Sequence, residues 1–116
     1  MARHLILELW GCSEKVIDSE NTIKDILKRC TDAFRDILID IKTHKFNPQG
    51  LSAVAILNGS FMSIHSWPEM GYVAIDIYTT SRDTDLNKVV IMVKEWLIPD
   101  KIQVLNFERE FHEQRL

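Results

Sequence analysis

Ser60, His65 and Glu69 fall within ten residues of one another in the stretch "NGSFMSIHSWPEMG". A serine hydroxyl five residues before an imidazole offers a nucleophile and its base, provided a tight turn or pleat brings the two together. Histidine is the side chain that changes charge near neutrality. His65 lies inside an otherwise apolar run, where a polar group without a partner costs stability. The spacing alone leaves a plainer reading open: a satisfied core histidine, a turn serine, and a turn carboxylate at Glu69 after Pro68. No GxSxG elbow supports a hydrolase triad, and Phe46 and Trp67 read equally well as core aromatics.

The remaining titratable residues narrow the chemistry further. His4 and His112 lie near the ends and are expected to be exposed, and His44 sits between Lys42 and Lys45 as a solvated residue. No HxxxH, HExxH or CxxC is present, so no metal site is expected. Cys12 and Cys30 are too few for a disulfide framework and read as reduced thiols, which fits a cytoplasmic protein. A net charge of -3 and a pI near 5.8 argue against non-specific nucleic-acid binding, which needs a basic surface. No glycine-rich phosphate loop occurs. No apolar run reaches the length of a membrane span, and "MARHLILELWGC", broken by Glu8, reads as a strand rather than a signal peptide.

The elements that must position these residues follow from periodicity. "HLILELW" alternates as a first strand closed by Gly11. A helix starts at Asp18 or Ser19 and carries Ile23, Ile26, Leu27, Cys30, Phe34 and Ile37 or Leu38 on one face. "IDIKTHKF" reads as a strand, "NPQG" (Asn47 to Gly50) as a turn, and "LSAVAIL", "FMSIHSW" and "YVAIDIYT" as three more strands. A second helix, capped by Asp83 or Thr84, carries Leu86, Val89, Val90, Val93, Trp96 and Leu97. Pro99 ends it before a last strand, "KIQVLNFE". Residues 1–116 therefore read as one domain of the α+β class: a two-layer sandwich, mainly antiparallel, with two helices packed on one face of the sheet.

"RHLILELWGC", "HKFNPQGLSAVAIL", "SIHSWPEMGYVAIDIYT" and "IQVLNFERE" together resemble the small prokaryotic S-adenosylmethionine decarboxylases over nearly the whole chain. That family consists of pyruvoyl enzymes. The chain cuts itself before an internal serine through an N→O acyl shift, and the serine becomes a pyruvoyl group that forms a Schiff base with the substrate amine. The resemblance implies cleavage at Gly59-Ser60, giving a β chain of residues 1–59 and an α chain of residues 60–116, with the pyruvoyl cofactor made from Ser60. It implies that Ser52 and His65 are the processing pair. Phe46 and Trp67 would hold the adenine and the sulfonium, Glu69 the ribose hydroxyls, and Glu8 would be a further substrate carboxylate. It implies S-adenosylmethionine as substrate, a place in spermidine synthesis, and a homodimer with active sites at the interface.

Three positions depart from the family pattern. The family reads Glu-Ser-His at the cleavage point where this chain reads Gly59-Ser60-Phe61. Thr80 stands where the catalytic cysteine of the family falls, and an alcohol is a weaker proton donor than a thiol of pKa about 8.5. Two alternatives to the decarboxylase therefore stay open. One is an uncleaved, non-catalytic homologue with a binding or regulatory role. The other is a decarboxylase of another amino acid, such as ornithine or arginine.

Overall fold

Alternation of side chains across a pleated strand decides what each strand buries. The computed structural model describes residues 2–110. β1 (Ala2–Trp10) turns Leu5, Leu7 and Leu9 to one face and His4, Ile6, Glu8 and Trp10 to the other. β4 (Ser60–Trp67) buries Ser60, Met62, Ile64 and Ser66, and β5 (Tyr72–Thr79) buries Val73, Ile75, Ile77 and Thr79. With β2 (Leu38–Lys45), β3 (Leu51–Leu57) and β6 (Lys101–Arg109), the described residues form a six-stranded sheet in the order β2-β3-β4-β5-β1-β6. Every neighbouring pair is antiparallel.

The helices cover the face that carries Leu7. After a single turn, α1 (Glu14–Ile17), the main helix α2 (Glu20–Cys30) starts at Ser19, whose hydroxyl accepts from the Thr22 amide. Its buried stripe is Ile23, Ile26, Leu27 and Cys30, and it packs across β2, β3 and β4. α3 (Leu86–Leu97) lies beside it and buries Leu86, Val89, Val93 and Leu97 in the same core. This is the α+β two-layer arrangement expected from the periodicity. Among the described residues the opposite face of the sheet carries no helix, and alternate residues of β1, β3, β4 and β5 project from it.

Two boundaries differ from the expected ones, and both differences matter for the site. The helical spacing runs on to Phe34, but α2 stops at Cys30 and the chain tightens into a 3-10 turn, Thr31–Phe34. The tighter turn keeps Phe34 fully buried. Arg35 then takes a left-handed conformation (φ 56) and reverses the chain, so Ile37 is 70% exposed instead of continuing the stripe. The cap of α3 is Asp85, which accepts from the Lys88 amide, and not Asp83 or Thr84. Thr84 is committed elsewhere: its hydroxyl donates to the Phe34 carbonyl. Asp18 is likewise no cap of α2, since its carboxylate accepts from the Gly50 amide and pairs with Lys45. The turn between β3 and β4 is two residues, Asn58 and Gly59, closed by the pairing of Leu57 with Ser60.

Candidate active site

The short Asn58-Gly59 turn leaves Gly59 at φ +95, a conformation that glycine tolerates and side chains resist. Its carbonyl accepts from both the Thr80 amide (3.1 Å) and the Thr80 hydroxyl (2.9 Å). A Cβ placed on Gly59 would come within 2.7 Å of that hydroxyl. Ser60 follows immediately, 6% exposed on the helix side of the sheet. Its hydroxyl donates to Asp36 Oδ2 at 2.8 Å and lies 2.9 Å from Thr79 Oγ1, which is 2.9 Å from Thr84 Oγ1. A carbonyl held by two donors next to a hydroxyl on a carboxylate is suited to attack on that carbonyl, because the donors meet the charge that develops on its oxygen.

A second cluster stands on the open face. Ser52 and His65 are direct cross-strand partners, and Ser52 Oγ lies 2.8 Å from His65 Nδ1. Phe46, Ser52, His65, Trp67 and Glu69 all line one cavity of about 330 Å³ at the β2–β3 end of β4. At its rim the Phe46 amide donates to the Gly50 carbonyl at 2.9 Å. Glu8 lies outside the cavity: it is in register with Ala74, which pairs in turn with His65. Its carboxylate accepts from the Tyr72 hydroxyl at 2.5 Å, and the Tyr72 ring lies 5.3 Å from that of Trp67. Loss of solvation and the bond to Glu8 push Tyr72 up to about 12. His4, expected to be exposed, is half-buried on the same face, 3.4 Å from Asp76. His44 is exposed and packs edge-on against Phe46, and His112 lies outside the described residues.

Within one chain, Ser60 and His65 do not meet. Their spacing of five is odd, so the pleat sends them to opposite faces, and five residues of strand separate them by roughly 16 Å. His65 is therefore not a core histidine, and it is not a base for Ser60 of the same chain. Thr80 does sit beside the Gly59-Ser60 bond. Neither cysteine stands in for a thiol there. Cys12 hydrogen-bonds through its amide to the Gly71 carbonyl, at the other end of the sheet, and burial helped by Asp100 pushes its thiol to about 11. Cys30 is in the core, and burial with the charge of Asp32 pushes it to about 12. Among the described residues no cluster of three or more His, Cys, Asp or Glu is placed to hold a metal, and no helix is long and apolar enough to cross a membrane.

Spacing gave no hint of Asp36, Thr79 or Tyr72. Asp36 lies in a segment whose periodicity continues the helical stripe, and only the left-handed Arg35 turns it toward Ser60. The Asn58-Gly59 dipeptide is a strong hairpin signal that would have placed the bond at a turn.

The S-adenosylmethionine decarboxylase family profile matches residues 3–110. The chain is 38% identical over 109 residues to the S-adenosylmethionine decarboxylase proenzyme of Methanococcus vannielii, covering 94% of this chain and 89% of that one. It is 37% identical over 101 residues to the proenzyme of the same name from Clostridium botulinum, covering 87% of each. The fold superposes on the crystal structure of the adenosylmethionine decarboxylase from Aquifex aeolicus with a TM-score of 0.88 at 25% identity, over 100% of this chain and 96% of that one. The chain belongs to the S-adenosylmethionine decarboxylase family.

Two expectations follow from the site. In a Ser60→Ala background, Gly59→Ala lowers unfolding free energy by about 1–3 kcal/mol, from the positive φ and the contact with Thr80. Part of that loss returns when Thr80→Ala removes the hydroxyl, so the urea-melt double-mutant cycle is non-additive by more than about 0.5 kcal/mol. Additive losses would mean that the two residues do not press on each other. Tyr72 keeps its proton in the folded chain above the ordinary value of 10, up to about 12. The unfolded chain loses that proton first, so stability is full below 10 and falls as pH rises through this window. Denaturant melts across the window will show a slope that Tyr72→Phe flattens.

Proposed function

We propose that this chain is a self-processing, pyruvoyl-dependent decarboxylase of S-adenosylmethionine, acting in polyamine synthesis. The observation that carries the reading is the Gly59-Ser60 bond itself. Its carbonyl is held by the amide and hydroxyl of Thr80, and the hydroxyl that would attack it belongs to the buried Ser60. The close relatives are named proenzymes, which agrees with a chain made inactive and then cut. The residues around Ser60 suit formation of the cofactor there. Gly59 permits the strained turn, Thr80 stabilises the oxyanion as the amide becomes an ester, and the ester carbonyl leaves with residues 1–59.

The pyruvoyl carbonyl supplies the electron sink for loss of CO₂. The chain's own residues bind and orient the substrate. Phe46 and Trp67 offer aromatic faces for the adenine and for the sulfonium, whose positive charge favours the ring quadrupole. Glu69 accepts hydrogen bonds from the ribose hydroxyls, and Glu8, positioned by Tyr72, contributes a further carboxylate. Thr80 remains beside the new N-terminus, where a proton must be delivered to the product.

One chain leaves the Ser52–His65 pair far from Ser60, so a second copy completes the site. The two subunits pack through their open sheet faces, bringing the partner subunit's His65 to the backbone of Ser60, whose side chain points to the helix side. The open face suits such a contact: Phe61 stacks on Tyr78 at 5.6 Å, and Ile56, Leu105 and Phe107 are 41–48% exposed beside them. His65 then removes the Ser60 α-proton from the ester, with Ser52 holding its ring through Nδ1. The protein acts in the cytoplasm, with S-adenosylmethionine and a second copy of itself as its partners.

Intact mass of freshly purified protein tests the cut: two fragments, residues 1–59 and 60–116, are expected, the second blocked at its N-terminus. A single uncut mass after long incubation would leave only the non-catalytic homologue. Release of labelled CO₂ from S-adenosylmethionine, and not from ornithine or arginine, checks the substrate. Complementation tests the second copy. Ser60→Ala and His65→Ala chains are each expected to stay uncut, and co-expression should restore cutting of the His65→Ala chain alone. No restored cutting in the mixed dimer would place both residues in one subunit's site.

A further inference from the structure

The acyl shift needs a base for the Ser60 hydroxyl, and resting on the self-processing reading, the geometry points to one in the same chain: we propose that Asp36 accepts the Ser60 proton as Ser60 attacks the Gly59 carbonyl. Asp36 Oδ2 is 2.8 Å from Ser60 Oγ, within the reach required of a general base. Among the described residues it is the one carboxylate or imidazole hydrogen-bonded to that hydroxyl, whose other neighbour is Thr79. The same oxygen lies 3.8 Å from the point where a Gly59 Cβ would stand, so the carboxylate reaches across the turn that holds the bond.

The hydroxyls behind Ser60 prepare the transfer. Ser60, Thr79 and Thr84 form a buried chain from Asp36 to the Phe34 carbonyl. Both ends of that chain are acceptors, so three hydroxyl protons serve four contacts. When Thr84 donates to Phe34 and Thr79 to Thr84, the Ser60 proton alone remains for Asp36 and Thr79. Once Asp36 takes that proton, Thr79 can turn its own toward the Ser60 oxygen and Thr84 can follow, which stabilises the developing alkoxide. The wire meets the alkoxide by giving up the Thr84 bond to the Phe34 carbonyl, which is restored when the proton leaves Asp36 and the hydroxyls turn back.

The step balances. Ser60 Oγ forms a bond to the Gly59 carbonyl carbon while its proton moves to Asp36 Oδ2. The carbonyl π pair moves onto the Gly59 oxygen, between the Thr80 amide and hydroxyl. The oxyanion pair then re-forms the carbonyl as the carbon–nitrogen bond breaks, the bonding pair goes to the Ser60 nitrogen, and the proton held by Asp36 is returned to that amine. An amide has become an ester, with no proton gained or lost. Asp36 is half-buried and lines a surface cavity of about 660 Å³, so the carboxylate communicates with solvent.

The test follows cutting of the full chain by intact mass, with hydroxylamine added to reveal ester. Asp36→Asn is expected to slow cutting by on the order of 10²-fold, the scale of general-base catalysis. Its uncut chain should resist hydroxylamine, because the block precedes the ester. His65→Ala, blocked afterwards, should accumulate chain that hydroxylamine splits. Asp36→Ala should regain cutting on addition of formate, which fits the vacated carboxylate position; a merely structural role would not respond to formate. Cutting of folded Asp36→Asn at the wild-type rate, hydroxylamine-sensitive ester in that variant, or no formate response would each overturn the assignment. Those results presuppose that the wild-type chain cuts; a wild-type chain that never cuts overturns the self-processing reading and takes this one with it.

Discussion

The register between β3 and β4 is the constraint on which the site depends. A two-residue turn joins the strands, so Leu57 must face Ser60 and Ser52 must face His65. Because strands alternate with a period of two, a slip of one residue would send Ser60 to the open face and His65 into the core. Burial opposes such a slip at every other position: Ala53, Ala55 and Leu57 of β3 and Met62 and Ile64 of β4 are all at most 3% exposed under α2. The apolar pattern of the hairpin thus holds the polar one. Asn58-Gly59 sets the same register locally, and the central place of β4 in the sheet fixes it again through β5.

From that register the two halves of the site acquire different surroundings. On the helix side, Ser60, Thr79 and Thr84 are hydroxyls at most 6% exposed, and each finds a hydrogen-bond partner. Buried polar groups are tolerable when satisfied in this way, and the low dielectric then strengthens their bonds. The Gly59 carbonyl and the Ser60 hydroxyl are each held in place, which would remove an entropy cost from the proposed acyl shift. On the open face, Ser52, His65 and the aromatic rings stay accessible to a ligand or a second subunit. One strand therefore carries two polar clusters on opposite faces, Ser60 among buried hydroxyls and His65 beside Ser52, using only the alternation of its side chains.

Much of this was legible in the sequence because it rests on periodicity. The stripes of α2 and α3, the alternation of β1 and β5, and the sheet-with-helices architecture all follow from apolar spacing. What periodicity could not reach was the segment after Cys30. Phe34 satisfies the helical spacing and is indeed buried, yet it gets there through a 3-10 turn, and the left-handed Arg35 delivers Asp36 to Ser60. Backbone reversals at non-glycine residues leave little trace in composition. Proximity of Ser60 and His65 misled for a related reason: five residues are near in sequence, but an odd spacing in a strand is a change of face. Ser52 and His65, thirteen residues apart, are in contact because the hairpin folds them into register.

Gly59 and Thr80 look in the sequence like two separate departures from the family pattern, and in the structure they are one. With φ at +95 and only 2.7 Å from the Cβ position to the Thr80 hydroxyl, the turn has room for that hydroxyl because residue 59 has no side chain. The hydroxyl uses the room to donate to the Gly59 carbonyl, alongside the amide of the same residue. A glutamate at 59 would displace the contact, and a residue at 80 without a hydroxyl would leave the carbonyl one donor. The pair therefore suits polarisation of the bond before Ser60. Under the proposed self-processing, the same hydroxyl, a weaker acid than a thiol, would be what the chain offers beside the product. On that proposal, a residue well matched to polarising the Gly59 carbonyl is less well matched to protonating a product.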